Sequence, residues 1–280
     1  MVKYRAAASA GVTAIGILGL VTVVAYPPHA WAQATGGIYQ ATVITTGSDL
    51  RFRNAGFAQA LREVLVKASG EPRLRQDPRV DKLTQHADQL VAFFSYRDQM
   101  EGIHHHDDQG TYDRPFDLTV QFDWLSINAA LAQLGEKPWL GARPTIVPVI
   151  LLRGHDQPYK QQYLISDEEP AAGGQRESLS YCAQKYGLGL RIPSADDLAA
   201  WHVQQSVITN LTIPRTDDKF VVVGTLDFRL STFGWLGIWK ATWHGVDYGW
   251  GVSGVSFDKA FDNLVAGVAR IASGHGKPDE

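Results

Sequence analysis

Cysteine is almost missing from this chain of 280 residues, where Cys182 stands alone. A lone thiol excludes an internal disulfide and any thiolate metal cluster, and in an oxidising compartment it reads as a small, inert, buried side chain. Positive charge is also in short supply: 26 Lys and Arg face 29 Asp and Glu, for a formal net charge of −3. Binding a phosphate backbone needs a clustered basic face. The nearest approach, Arg73 and Arg75 with Arg79, is interrupted by Asp77 and Pro78 and reads as a solvated loop. Nucleic acid is therefore not an expected partner. Internal repeats and low-complexity runs are lacking. So are the common catalytic motifs: Gly251-Val-Ser-Gly-Val-Ser lacks the spacing of the serine-hydrolase elbow, Gly187-Leu-Gly-Leu lacks a third glycine for a dinucleotide, and no Walker loop occurs.

What is present begins with an address. Lys3 and Arg5 precede an uncharged run from Ala6 to Ala25, and Ala30-Trp31-Ala32 offers small residues at the two positions that signal peptidase reads. The expected signal peptide is 1–32, cut near Ala32, and the expected location is periplasmic. Retention as an anchor is the alternative, because the run is about long enough to span a bilayer. Several glycines and the Pro27-Pro28 break favour cleavage, and no cysteine near the cut supports a lipoprotein. Removing 32 of the 280 residues leaves 248, and loss of Lys3 and Arg5 lowers the charge by two to −5. With 45% hydrophobic and 20% charged residues, such a chain can bury a core without disulfides or metal.

Periodicity then sketches the elements. Asp49 opens a helix with the stripe Phe57, Leu61, Val64, Leu65 and Ala68, stopped by Gly70 and Pro72. Asp77 and Pro78 start a second, running through Leu90. Residues 113–124 alternate strictly, with Phe116, Leu118, Val120, Phe122 and Trp124 on one face, and pair with 93–100 as an antiparallel hairpin. A short helix carries Ile127, Leu131 and Leu134. Thr145 to Leu152 is an almost wholly apolar strand that Pro148 pushes toward an edge or bulge. Further on, Leu179 to Tyr186 is a helix, Leu188 to Ile192 a short strand, and Ser194 with Asp197 a capping-box-like helix start. Phe220 to Leu230, Ile238 to His244 and Tyr248 to Val252 are strands, before a final helix capped by Ser256 and striped by Phe257, Phe261, Leu264, Val268 and Ile271. The expectation is an α/β to α+β fold of two layered helix-on-sheet units with mixed sheets. The predicted boundaries are an N-terminal domain over 33–152, a linker over 153–176, a C-terminal domain over 177–274 and a disordered tail over 275–280.

Two clusters could carry chemistry. His104, His106 and Asp108 share one side of an extended segment and suit a divalent ion, which would make a metal-assisted hydrolase; a solvated hairpin loop is the simpler reading. Trp235, Trp239, Trp243 and Trp250 could present a platform for sugar rings, with Trp235 and Trp250 the less committed to a buried face, or could simply fill the core beneath the last helix. Trp139, in Pro138-Trp-Leu-Gly, is a candidate partner contact or a piece of interdomain packing.

Several segments together resemble a family: Ala60-Leu-Arg-Glu-Val-Leu-Val-Lys-Ala-Ser-Gly70, Phe122-Asp-Trp, Pro138-Trp-Leu-Gly-Ala-Arg-Pro144, Gly187-Leu-Gly-Leu-Arg-Ile-Pro193, Val223-Gly-Thr-Leu, and Trp239 with Trp243. The mature chain is similar to the domain-of-unknown-function family 2066, exported proteins of Gram-negative bacteria. The resemblance implies an envelope location and a two-part chain, and supplies no catalytic residues. The expected function is a non-enzymatic binding or accessory protein of the cell envelope, with no cofactor. An envelope protein or cell-wall component is the expected partner, and membrane contact would come only through an uncut leader.

Overall fold

Alternating apolar and polar side chains build the first sheet. Its strands are β1 (Gln40–Thr45), β2 (Val91–Asp98) and β3 (Phe116–Phe122), antiparallel throughout and in the spatial order β1-β3-β2. The structure is a computed structural model that describes residues 37–102, 114–154, 162–203 and 218–278. Leu118, Val120 and Phe122 of the central strand are buried with Ala41 and Val43 of β1. The helix α1 (Leu50–Ser69) covers that face with Phe57, Leu61, Val64 and Leu65. Asp49 stands extended at its start, and Gly70 ends it in the left-handed region at φ 77°, where a side chain would be strained.

Asp77 caps α2 (Pro78–Thr84) by accepting the Arg79 N–H, as its position before a proline predicts. The predicted continuation to Leu90 is instead a short 3₁₀ turn over Ala87–Leu90. The helix α3 (Trp124–Gln133) corrects the reading of Trp124 as the last inward residue of β3. The Asp123 carboxylate accepts the Ser126 N–H, so the chain turns into a helix and leaves Trp124 55% exposed.

The second sheet is mixed. It contains β4 (Thr145–Gly154), β5 (Gln162–Leu164), β6 (Gly189–Leu190), β7 (Lys219–Arg229), β8 (Gly234–Trp243) and β9 (Val246–Val255), in the order β5-β4-β7-β8-β9 with β6 also beside β4. Only the pairings of β4 with β7 and with β6 are parallel. Helices α4 (Gly173–Tyr186) and α6 (Phe257–Ala272) pack on each other, with α6 on β8 and β9, while the short α5 (Ala195–Ala200) covers Val147 and Val149 on the other face. Helices with one antiparallel and one mixed sheet make this an α+β fold, as the patterning predicts.

Pro148 sits inside β4 without breaking it. The carbonyls of Ile146 and Ile150 accept the N–H groups of Arg191 and Ile165, so even-numbered backbone groups face the β5 and β6 side. The two short strands meet β4 only at Thr145–Ile146 and at Leu151–Arg153. The missing donor of Pro148 falls in the gap between them.

Two boundaries differ from the composition-based reading. The apolar strand β4, assigned by sequence to the 33–152 unit, is central to the second sheet, and the polar 153–176 segment contains β5 and the start of α4. A strand apolar on both faces needs neighbours on both sides, whereas the polar run marks turns within one sheet. In the tail His275 reaches Glu136, Arg270 Nε donates to the Lys277 carbonyl, and Pro278 is buried. Buried side chains from both sheets form one continuous core.

Candidate functional site

His104, His106 and Asp108 lie outside the described residues, as does the expected leader. Among the described residues no group of three His, Cys, Asp or Glu could hold a metal. The tryptophans read as contact or sugar platforms are placed, and each makes internal contacts. Trp250 is 4% exposed and its Nε1 donates to the Asn263 carbonyl, at 3.2 Å, beneath α6. Trp235 is half-buried, with its ring edge-on to Phe228 and Phe257. Trp239 is wholly buried, its Nε1 on Asn263 Oδ1 at 3.1 Å, in a slot left by Gly224 and Gly237: a Cβ at either would come within 2.5 Å of the indole. Trp139 donates its backbone N–H to the Ala68 carbonyl at 2.7 Å, and the Arg143 guanidinium lies over its ring at 4.1 Å. The Trp139 ring is thus buried with a cation over it.

The functional signal lies elsewhere, in a seam of charged groups where α1, α4 and α6 meet. Asp262 of α6 accepts from Arg75 Nη1 at 3.1 Å, from Lys185 Nζ at 3.1 Å and from the Tyr186 hydroxyl at 3.3 Å. Burial opposes the Arg75 charge, but Tyr186 and Asp262 outweigh it and raise its pKa. On α1, Glu63 and Lys67 stand one turn apart. Burial raises the Glu63 carboxyl above its usual range against the pull of Lys185, Arg75 and Lys67. It pushes Lys67 down to about 8, with Glu63 opposing. The Lys67 ammonium donates to the carbonyls of Gln40 at 2.7 Å and Gly37 at 3.2 Å, pinning the start of β1 to the helix. Arg143 donates to the Lys67 carbonyl at 2.7 Å and to the Tyr186 carbonyl at 3.1 Å, so one guanidinium caps the C-terminal ends of both α1 and α4. Its own pKa is lowered to about 10 by burial. Cys182, buried on α4, has its thiol pushed up to about 12 by burial and then by Asp262, which makes it a poor nucleophile.

Beside this seam runs a cleft of about 850 Å³, within the size range of ligand sites. One wall is β1 from Gln40 to Ile44, and the other includes Tyr181, Lys185 and Leu188. Four cations, Lys67, Arg97, Arg143 and Lys185, line it against two acids, Glu63 and Asp117. Perturbed titratable groups beside a cleft of this size mark a candidate site. Sequence reasoning missed it, although Glu63 with Lys67 and Tyr181 with Lys185 at one-turn spacing was a usable signal.

A second constellation invites a catalytic reading. Ser273 Oγ lies 2.8 Å from His275 Nδ1, and His275 Nε2 lies 3.0 Å from Glu136 Oε2, beside a cavity of about 560 Å³. The same Oγ also lies 3.2 Å from the carbonyls of Gly70 and Arg270, and the N–H groups of Ser273, Gly274 and His275 are engaged by the carbonyls of Ala269, Ile271 and Arg270. No backbone donor of this turn is left to hold an oxyanion. With Gly274 at φ 89°, the arrangement closes the C-terminus of α6.

Comparison with known proteins adds one finding. Residues 32–140 match a domain of unknown function, DUF8605. The match agrees with the expectation of an uncharacterised domain, is a different one from family 2066, and spans the first sheet with its helices. No curated protein and no solved structure matches the chain. Among the described residues, no helix is long and apolar enough to cross a membrane.

Proposed function

We propose that this chain is an exported, non-enzymatic binding protein of the cell envelope whose binding site is the cleft between β1 and α4. The observation that carries this reading is the cleft itself: about 850 Å³, walled on one side by β1, and lined by cations that include Lys185, paired with Asp262, and Arg143, which caps two helices. Groups held in that way suit the recognition of a partner. The leader pattern supports export, and the domain match begins at residue 32, beside the expected cut.

Site-specific photo-crosslinking tests it. A benzoylphenylalanine in place of Tyr181, 60% exposed in the cleft, is compared with one in place of Phe233, 85% exposed and outside it. The full chain is expressed with its leader in a Gram-negative host. Adducts from position 181 alone, in the periplasmic fraction, are the expected result. Equal adducts from both positions, or an unprocessed chain in the cytosol, overturn the proposal.

A further inference from the structure

Antiparallel pairing fixes which backbone groups of β1 point outward. The Phe122 N–H donates to the Tyr39 carbonyl, so Tyr39, Ala41, Val43 and Thr45 direct their N–H and C=O groups toward β3, while Gln40, Thr42 and Ile44 direct theirs away. The Oγ atoms of Thr42 and Thr119, 2.9 Å apart, confirm the phase, because side chains approach closely at non-hydrogen-bonded pairs. Lys67 takes the outward carbonyl of Gln40. Among the described residues nothing bonds the outward N–H and C=O of Thr42 and Ile44.

Open edges are usually blunted by charge, proline or bulges. The register of β2 shifts between Val91 and Phe93, and its end carries Arg97 and Asp98. The pairing of β9 is also irregular, and that strand carries Asp247 with Gly249, Gly251 and Gly254. Six regular pairs and the uncharged sequence Gln-Ala-Thr-Val-Ile-Thr make up β1, and the Lys67 ammonium on the Gln40 carbonyl guards only its start, leaving Thr42 and Ile44 open. It is also the edge that borders the cleft. A β-prone edge, open at Thr42 and Ile44, beside a cleft lined by four cations and two acids suits an extended segment that carries acids. A second copy would bring the same positive charges against this one.

We infer that β1 is a strand-addition site: an extended, acidic polypeptide segment of another protein pairs with Thr42 and Ile44 and lies along the cleft. This rests on the cleft being the binding site, and adds what occupies it and how.

The probe is a short fluorescent peptide of alternating glutamate and valine, titrated against the mature chain by anisotropy. Its lysine–valine counterpart and a backbone N-methylated glutamate–valine peptide are the controls. Thr42→Pro deletes one outward donor and leaves the β1–β3 ladder intact, because the Thr42 N–H is not part of it. Binding of the acidic peptide, weakened about tenfold or more by N-methylation and by Thr42→Pro, is the expected result. The N-methylated peptide keeps the test decisive if the proline variant does not fold. Equal binding of all three peptides, no binding at all, or a dimer of the wild-type chain that Thr42→Pro converts to monomer overturns strand addition. Cleft-specific crosslinks alongside any of these outcomes would leave the binding reading standing.

Discussion

At the scale of single residues, burial and close contact set the chemistry. Lys67 binds its proton less tightly in the folded protein, at about 8, than in the unfolded chain, at 10.5. Its charge therefore opposes folding in full below about pH 8, and that opposition fades as the pH rises toward 10.5. Cys182, whose thiol is raised from 9.0 to about 12, acts in the opposite sense at higher pH, since its ionisation favours the unfolded chain. The difference between wild type and Lys67→Met isolates the lysine. Urea unfolding is expected to show wild type gaining stability relative to the variant from pH 8 to 10.5, and a flat difference would refute the burial argument. Gly267 supplies a second test. Alanine is favoured over glycine inside a helix by about 1 kcal/mol. At Gly267, however, a Cβ would lie 2.4 Å from Trp250 Nε1, which donates to the Asn263 carbonyl. Overpacking of about 1–3 kcal/mol and a lost hydrogen bond of about 1 kcal/mol outweigh the propensity gain. Gly267→Ala is expected to lower the urea midpoint.

At the scale of elements, Arg143 joins two helix ends. Arg143→Ala removes donors from the carbonyls of Lys67 and Tyr186 and the cation over Trp139, and is expected to cost about 2–3 kcal/mol in urea unfolding. Arg143→Lys should recover only part of that loss, because an ammonium lacks the planar fork that spans two carbonyls. The helices joined here were plain in the sequence. The stripe of α1 between Asp49 and Gly70, the repeat of α6 behind Ser256, and the Ser194–Asp197 box all act within a few residues, so local pattern contains them. The strand β6 was legible as the short strand from Leu188 to Ile192, whereas β5, of three residues, was not, because its pairing is decided by β4. Trp124 misled because inward alternation continued past the Asp123 cap that ends the strand. The seam was hidden for a related reason. Arg75 and Asp262 are 187 residues apart and meet only through tertiary packing.

At the scale of the whole molecule, one buried ion pair ties the two halves together. Glu71, just after α1, and Arg270, in the last turn of α6, stand 199 residues apart, 5% and 8% exposed, and are in direct contact. The Glu71 carboxylate also accepts the Arg73 N–H, and Arg270 Nε donates to the Lys277 carbonyl, so both charges are held within wider networks. Removing one member of such a pair leaves an uncompensated buried charge, at a cost of about 3–5 kcal/mol, whereas replacing both with apolar side chains is often close to neutral. Glu71→Ala is therefore expected to be strongly destabilising, and the Glu71→Met, Arg270→Met double variant to lie much nearer wild type. The continuous core adds a sharper expectation. Trp139 against α1 and Trp239 and Trp250 under α6 report on both halves. Fluorescence and far-UV circular dichroism should then give one coincident unfolding transition, which Glu71→Ala moves as a unit. A fluorescence transition that separates from the dichroism transition in that variant would show that the two sheets unfold independently.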